Sequence, residues 1–338
     1  MIDLRPIDVR PIDVLALGHA IVDVLCHCDD DLIRRHGLIK GTMALVDAER
    51  SAAIYATMGP GVEVSGGSAA NTAAGVASLG GAAGFVGKVA ADELGEIFTH
   101  DLRAAGVVYD TPPGPASGAE TARSLILVTP DAERTMNTFL GVAGELSPTD
   151  VDETRVASAA VTYLEGYLVG LPTAAAALEK ALAAAHAAGR RVALTLSDPM
   201  WAEIHRDAFA ALLPRVDVLL ANEAEAMVLT GAPTYGAALD ELAASCEVVA
   251  VTRGAAGAVA ARGSERVAVP AEPVERVVDT TGAGDLFAAG FLHGVTRDLP
   301  LEACARLGGL AAAEVISHDG ARPQTSLAKL AAAAGLPA

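Results

Sequence analysis

The chain has 338 residues, 52% of them hydrophobic and 20% charged, enough apolar sequence for one large core or two modest ones. Lys and Arg total 24 against 42 for Asp and Glu, and the formal charge of −18 argues against nucleic acid or an anionic membrane as the main partner. No apolar run reaches the roughly 18 residues of a membrane span, and charges run through the N-terminal MIDLRPIDVRPIDVLALG. Only four cysteines (Cys26, Cys28, Cys246, Cys304) occur, so a cytoplasmic protein with reduced thiols is expected.

The RPIDV repeat at Arg5 and Arg10 is a local duplication to which no function is assigned. From DVLALG (13–18) onward, short β-branched runs alternate with alanine-rich stretches of helical length. Predicted strands continue at 83–87, 160–166, 191–197, 217–222 and 248–254, and predicted helices lie at 68–80, 93–106, 172–189, 206–215 and 236–245. This alternation predicts an α/β fold: a three-layer α/β/α, doubly wound, mostly parallel sheet with helices on both faces. Two stretches, 19–47 and 107–141, break the pattern as short strands with turns, with a helix suggested only at 29–36. They would suit a small β-sheet lid that closes over a ligand. No linker divides the chain, so one domain over 1–338 is expected.

Within the first of these stretches CHCDDD (26–31) crowds thiols, an imidazole and carboxylates into six residues. Strand alternation puts Cys26 and Cys28 on one face and His27 on the other, which opposes a single metal site. The acidic residues suit the start of a helix.

The segment DTTGAGDLFAAGF (279–291) reads as a polar turn entering a helix near Gly284 or Asp285. Gly282, Ala283 and Gly284 would offer unpaired amides at the positive end of the helix, an anion hole for a phosphoryl group. A carboxylate at that place repels phosphate, so Asp285 either caps the helix or takes the proton of an attacking hydroxyl as a general base, ionised by the local field. GAAGFVGK (81–88) fails as a Walker loop through its spacing and Val89, and no dinucleotide fingerprint follows the first strand. His293, eight residues beyond Asp285, is read as a packing residue, and Arg134 as a candidate for charge neutralisation.

With these residues in place the sequence resembles the ribokinase-like (PfkB) family of carbohydrate and nucleoside kinases, from GHAIVD (18–23) to DGARPQ (319–324). The resemblance implies the ribokinase-like α/β/α fold with a lid, and transfer of phosphate from ATP to a hydroxyl. SGGSAANTAAG (65–75) resembles the family's sugar-binding signature, which implies that Gly66, Gly67, Ser68 and Asn71 hold substrate. Asp23, at the end of GHAIVD, matches the aspartate that binds two sugar hydroxyls. NEAE (222–225) matches the element that organises magnesium and phosphates through Asn222 and Glu225, although the same pattern is a helix capping box. VTRGAAG (251–257) would place Thr252, Gly254 and Gly257 near ATP. Asp279, Thr281 and Gly320 match the surroundings of a monovalent cation, potassium in ribokinase, which has Ser where Gln324 stands.

Subgroup cues, Ser68 with Asn71, ERTMNTFLG (133–141), YLEGYL (163–168) and LSDP (196–199), resemble bacterial adenosine-kinase homologues and add Asn137 and Glu165 to the substrate residues. The expectation is an ATP- and magnesium-dependent kinase of purine salvage, monomer or homodimer, acting on a nucleoside 5′-hydroxyl with Asp285 as base. A kinase for a free sugar such as ribose or fructose is the alternative, and a ligand sensor without turnover is a reading of another class.

Overall fold

The computed structural model describes residues 11–337 apart from 116 and 132, so the first copy of the RPIDV repeat lies outside the described residues while Ile12 of the second opens a strand. The strands are β1 (Ile12–Leu17), β2 (Ile21–His27), β3 (Met43–Leu45), β4 (Val62–Gly66), β5 (Ala83–Val86), β6 (Val108–Tyr109) and β7 (Ala122–Val128). They continue with β8 (Arg134–Phe139), β9 (Ala159–Leu164), β10 (Arg191–Thr195), β11 (Val218–Asn222), β12 (Val248–Thr252), β13 (Ala258–Arg262) and β14 (Glu265–Val269).

Nine of them form one sheet in the order β14-β13-β12-β11-β10-β9-β1-β5-β6, parallel from β12 to β6, with β13 and β14 adding an antiparallel hairpin at one edge. Helices cover both faces, which is why β1 and β9 are buried nearly throughout. Val14 and Ala16 belong to one core with the helix Ala283–Val295, whereas Leu15 and Leu17 belong to the other, with the helix Pro172–Ala187. The central strands and main helices fall where the sequence places them. The helix expected over 206–215 ends at Leu212 and finishes as a 3-10 turn through Pro214, which has no amide to continue it.

A separate five-stranded sheet, ordered β3-β8-β7-β2-β4, forms the small layer. Its outer face packs on the helices Asp30–Arg35 and Ala48–Tyr55 through Val24, Leu125, Leu127, Leu32, Ile33 and Ile54. Its inner face carries Ile21, Asp23, Ser124, Met136 and Thr138 over a cavity in the main body. The expected boundaries need correction at three places. The small sheet extends to Gly66 through β4, because VEVSG pairs antiparallel with β2. Val108–Tyr109 joins the edge of the large sheet beside β5 instead. GHAIVD, expected to end the first strand with Asp23, does not: β1 stops at Leu17, and Asp23 sits in the middle of β2.

Cys26 is buried and His27 exposed, as alternation requires, and Asp29 caps the following helix by accepting from Leu32 N at 3.0 Å. Among the described residues no three His, Cys, Asp or Glu side chains gather as a metal site.

Candidate active site

The helix Ala283–Val295 begins one or two residues earlier than its sequence suggests. Its N-cap is Gly282, in the left-handed region at φ +80°, and a Cβ there would lie 2.8 Å from Ala321 Cβ and 2.9 Å from Ala321 Cα. Only glycine turns the chain this tightly against the 319–324 loop. No side chain caps the helix, so Asp285 is not its cap. The carboxylate points instead at the helix Ser68–Ser78. Oδ1 accepts from Ser68 Oγ at 2.6 Å and Oδ2 from Asn71 Nδ2 at 2.9 Å, while Thr72 Oγ1 donates to the Asp285 carbonyl at 3.1 Å. Gly75 permits this approach, since a Cβ there would come within 2.6 Å of Ala289 Cβ.

The field of the turn was expected to favour the ionised form of Asp285, and burial overrides it. Desolvation pushes the carboxyl up to about 6 against the Ser68 and Asn71 hydrogen bonds that favour ionisation. Asp23 is raised by burial to about 7, opposed chiefly by Arg322. A Cβ on Gly66 would sit 2.2 Å from Asp23 Oδ2, and one on Gly67, at φ +91°, would sit 2.3 Å from the His19 carbonyl oxygen. The two glycines thus let β4 close against these groups.

Asp285, Ser68, Asn71, Gly67, Asp23 and Glu165 line one cavity of about 250 Å³. Its other end is apolar and aromatic, formed by Met43, Leu45, Met136, Leu140, Tyr167, Leu171 and Trp201. The Trp201 ring is fixed by Nε1, which donates to the Gly166 and Val169 carbonyls, both at 3.0 Å.

A second cavity, of about 580 Å³, lies on the opposite side of the same turn, lined by Thr252, Gly254, Gly257, Ala283, Gly284 and Phe287 among others. Gly254 and Gly257 take positive φ of 55° and 86°, and a Cβ on Gly257 would meet the Val269 carbonyl at 2.0 Å. Two cavities therefore meet at a helix N-terminus, the smaller one polar only at the end that holds the carboxylate of Asp285.

Other expected residues are spent on the protein itself. Glu165, buried, accepts from Ala69 N at 2.9 Å through Oε2 and from His19 Nδ1 at 3.0 Å through Oε1. Both members of this pair line the cavity, and His19 Nε2 has no partner. Asn222 and Glu225 form the complete capping box of the helix Glu223–Thr230: Asn222 Oδ1 accepts from Glu225 N at 2.8 Å, and the Glu225 oxygens accept from Asn222 N and Nδ2 at 2.9 and 2.8 Å. Burial raises the Glu225 carboxyl to about 7. Asp279 accepts from Thr281 N at 2.9 Å and Gly320 N at 3.0 Å, and Arg134 Nη2 lies 2.9 Å from its Oδ2 and 2.7 Å from Asp319 Oδ1. Its carboxylate is thereby neutralised by the small sheet, which leaves backbone carbonyls as the ligands a monovalent cation would find.

One assignment is overturned. Asn137 pairs with Leu125 and shares its outer face of the small sheet, whereas its neighbours Met136 and Thr138 face the cavity. A one-residue difference in strand phase removes it from the substrate. His293 is fully buried with both ring nitrogens unpaired, and burial lowers it to about 4, a neutral core histidine outside both cavities.

The residues that sequence reasoning missed are His19, Tyr167, Ser197 and Trp201 in the first cavity, and Arg322 behind it. LSDP and YLEGYL had marked the neighbourhood of Ser197, Tyr167 and Trp201, and GHAIVD and DGARPQ contain His19 and Arg322, but neither of these two side chains was singled out.

Residues 47–327 match the model of the pfkB family carbohydrate kinases. The structure of adenosine kinase from Sinorhizobium meliloti is 51% identical, with a TM-score of 0.90 over 96% of this chain and 100% of that one. A probable sugar kinase from Rhizobium etli CFN 42 is 49% identical, with a TM-score of 0.91 over 97% and 99%. Adenosine kinase of Saccharomyces cerevisiae is 28% identical over 91% of this chain and 95% of that protein.

The ribokinase-like fold and the match to kinases define a phosphotransferase that acts on a hydroxyl group, a kinase of sugars or nucleosides. The chain belongs to the pfkB family of carbohydrate kinases, whose members use ATP with a divalent metal.

Proposed function

We propose that the protein is an ATP- and magnesium-dependent kinase that phosphorylates the 5′-hydroxyl of a nucleoside, adenosine foremost, giving AMP and ADP. The observation that carries the choice of nucleoside is the two-ended cavity. Asp23, Ser68, Asn71 and Asp285 crowd one end as a ribose requires, and the apolar wall from Met43 to Trp201 suits a purine and exceeds what a free sugar can cover. The close likeness to the S. meliloti adenosine kinase supports the same reading.

In this account ATP occupies the second cavity, with its phosphates toward the amides of Gly282, Ala283 and Gly284. Asp23 accepts from the vicinal hydroxyls of the ribose. Asp285 takes the proton of the 5′-hydroxyl as that oxygen bonds to the γ-phosphorus and the bond to the bridging β,γ-oxygen breaks, so the products are AMP, ADP and a proton. Glu225, buried and within the field of Asp285 with lone pairs remaining on its oxygens, would suit a water of the metal rather than the ion itself. Magnesium, carried by the ATP phosphates, supplies charge neutralisation. The carbonyls around Asp279, Thr281 and Gly320 are the proposed seat of a monovalent cation.

ADP release measured with ATP-Mg and adenosine, inosine, ribose or fructose tests the proposal. Turnover with adenosine at least tenfold more efficient than with either free sugar is expected. Preference for ribose or fructose would replace the nucleoside reading by the sugar-kinase one, and no ADP release from any acceptor would favour the sensor.

A further inference from the structure

Arg322 lies in the loop after the helix Leu301–Val315, in neither half of the site described above, yet it is wired into it. Its Nε donates to Asn71 Oδ1 at 2.8 Å, and Asn71 Nδ2 donates to Asp285 Oδ2 at 2.9 Å. An amide is ambiguous by itself, since its oxygen and nitrogen can exchange places by a half-turn. With a guanidinium on one side, which only donates, the Asn71 oxygen is compelled to face Arg322 and the nitrogen to face Asp285. The flipped amide would set donor against donor at Arg322 and leave the carboxylate without this partner.

The arrangement is costly. Arg322 Nη2 is closed to solvent without a hydrogen-bond partner, and no carboxylate lies within ion-pairing distance of the guanidinium among the described residues. Arg322 as a residue is only half-buried, but holding one charged N–H group dry and unpaired is unfavourable unless its charge or direction is used. Two half-buried carboxylates, Asp23 and Asp285, both lie within its field. Burial brings Arg322 itself down to about 10, so it remains charged at neutral pH.

We propose that Arg322 is a positioning residue for phosphoryl transfer: through Asn71 it fixes the direction of the Asp285 carboxylate and supplies the positive charge that balances the acceptor site. The inference rests on the reading of Asp285 as the base. Groups facing Asp285 from the packed elements are Ser68 and Asn71, the carboxylates of Asp23, Glu165 and Glu225, the Tyr163 phenol and Arg322. Arg134, held at Asp279, also acts on Asp23, whereas Arg322 is the cation that acts on Asp285, so its removal leaves the base without a balancing positive charge.

A double-mutant cycle of Arg322→Met and Asn71→Ala, read as kcat with adenosine and ATP-Mg, tests the relay. Arg322→Met alone is expected to lower kcat about 10- to 100-fold, the range of a misdirected catalytic group, with the KM for ATP changed less than about threefold. In the Asn71→Ala background the same substitution should cost less than about threefold. The acidic limb of the kcat–pH profile should move upward in Arg322→Met and return toward its original place in Arg322→Lys. Arg322→Lys and Arg322→Gln, one keeping the charge and one a donor, decide the matter if the Met variant loses its cooperative thermal transition. Equal losses in both backgrounds, or a kcat within threefold of wild type, would overturn the relay. Asp285→Asn measured alongside separates the two ideas: if it stays active the base assignment fails whatever Arg322 does, and if it is inactive while the cycle is additive only the Arg322 relay fails.

Discussion

Three carboxyl groups at the site titrate far above their ordinary range: Asp285 near 6, and Asp23 and Glu225 near 7. In each case desolvation is the leading cause. In the unfolded chain such groups ionise near pH 4, so between about pH 4 and 7 the folded protein binds more protons than the unfolded one. Their contribution to stability is therefore full below pH 4 and is lost as pH rises through 6 to 7. An enzyme that needs Asp285 as a base works where that stability has been given up. Asp285→Asn should accordingly raise Tm at pH 7.5, by about 3 °C, with the difference shrinking toward zero at pH 4.5. The amide fits the same partners, its oxygen accepting from Asn71 and its nitrogen donating to Ser68 Oγ. A lower Tm for the variant at pH 7.5 would show that the ionised carboxylate is stabilised by its surroundings. The identity of Asp285 was legible because a glycine turn ahead of an acidic residue has few uses. Its partners were not, since the approach of Ser68, Asn71 and Arg322 depends on segments more than 200 residues apart.

At the scale of elements, the turn Gly282–Gly284 depends on its two glycines for different reasons. Gly282 needs its left-handed backbone and the space that Ala321 leaves, whereas Gly284 is helical, and a Cβ there would meet nothing within 4 Å. Gly282→Ala should therefore destabilise the protein by about 1–3 kcal/mol in urea unfolding, and Gly284→Ala should leave stability unchanged or raise it by up to about 1 kcal/mol. Equal effects of both would contradict the turn geometry. Most helices and parallel strands were readable from composition and period because each is a local property. Strand phase in the small sheet was not: Asn137 and Met136 look equally suited to a ligand in the sequence, and only pairing with Leu125 puts Asn137 on the outer face. Val62–Gly66 was not expected as a strand and Val108–Tyr109 was expected in the small sheet, since a short extended segment is claimed by whichever partner lies beside it.

For the molecule as a whole, the large sheet delivers the ends of β11 and β12 and the Ala283–Val295 helix to one rim, and the small sheet spans that rim with Asp23, Ser124 and Met136 facing inward. Arg134 ties the small sheet to the body through Asp279 and Asp319. The alternation of strand and helix foretold the layers; the tie could not be foretold, because it joins a residue of one sign on a strand of the small sheet to residues of the other in two distant loops. In the proposed reaction a proton leaves the acceptor hydroxyl to Asp285. This step is tested most directly by single-turnover phosphorylation of adenosine by Asp285→Asn, with ATP binding to the same protein followed by calorimetry. A rate lower by about 10²–10⁴-fold with ATP affinity within threefold of wild type is predicted. A variant that keeps more than about a tenth of the wild-type rate would contradict it.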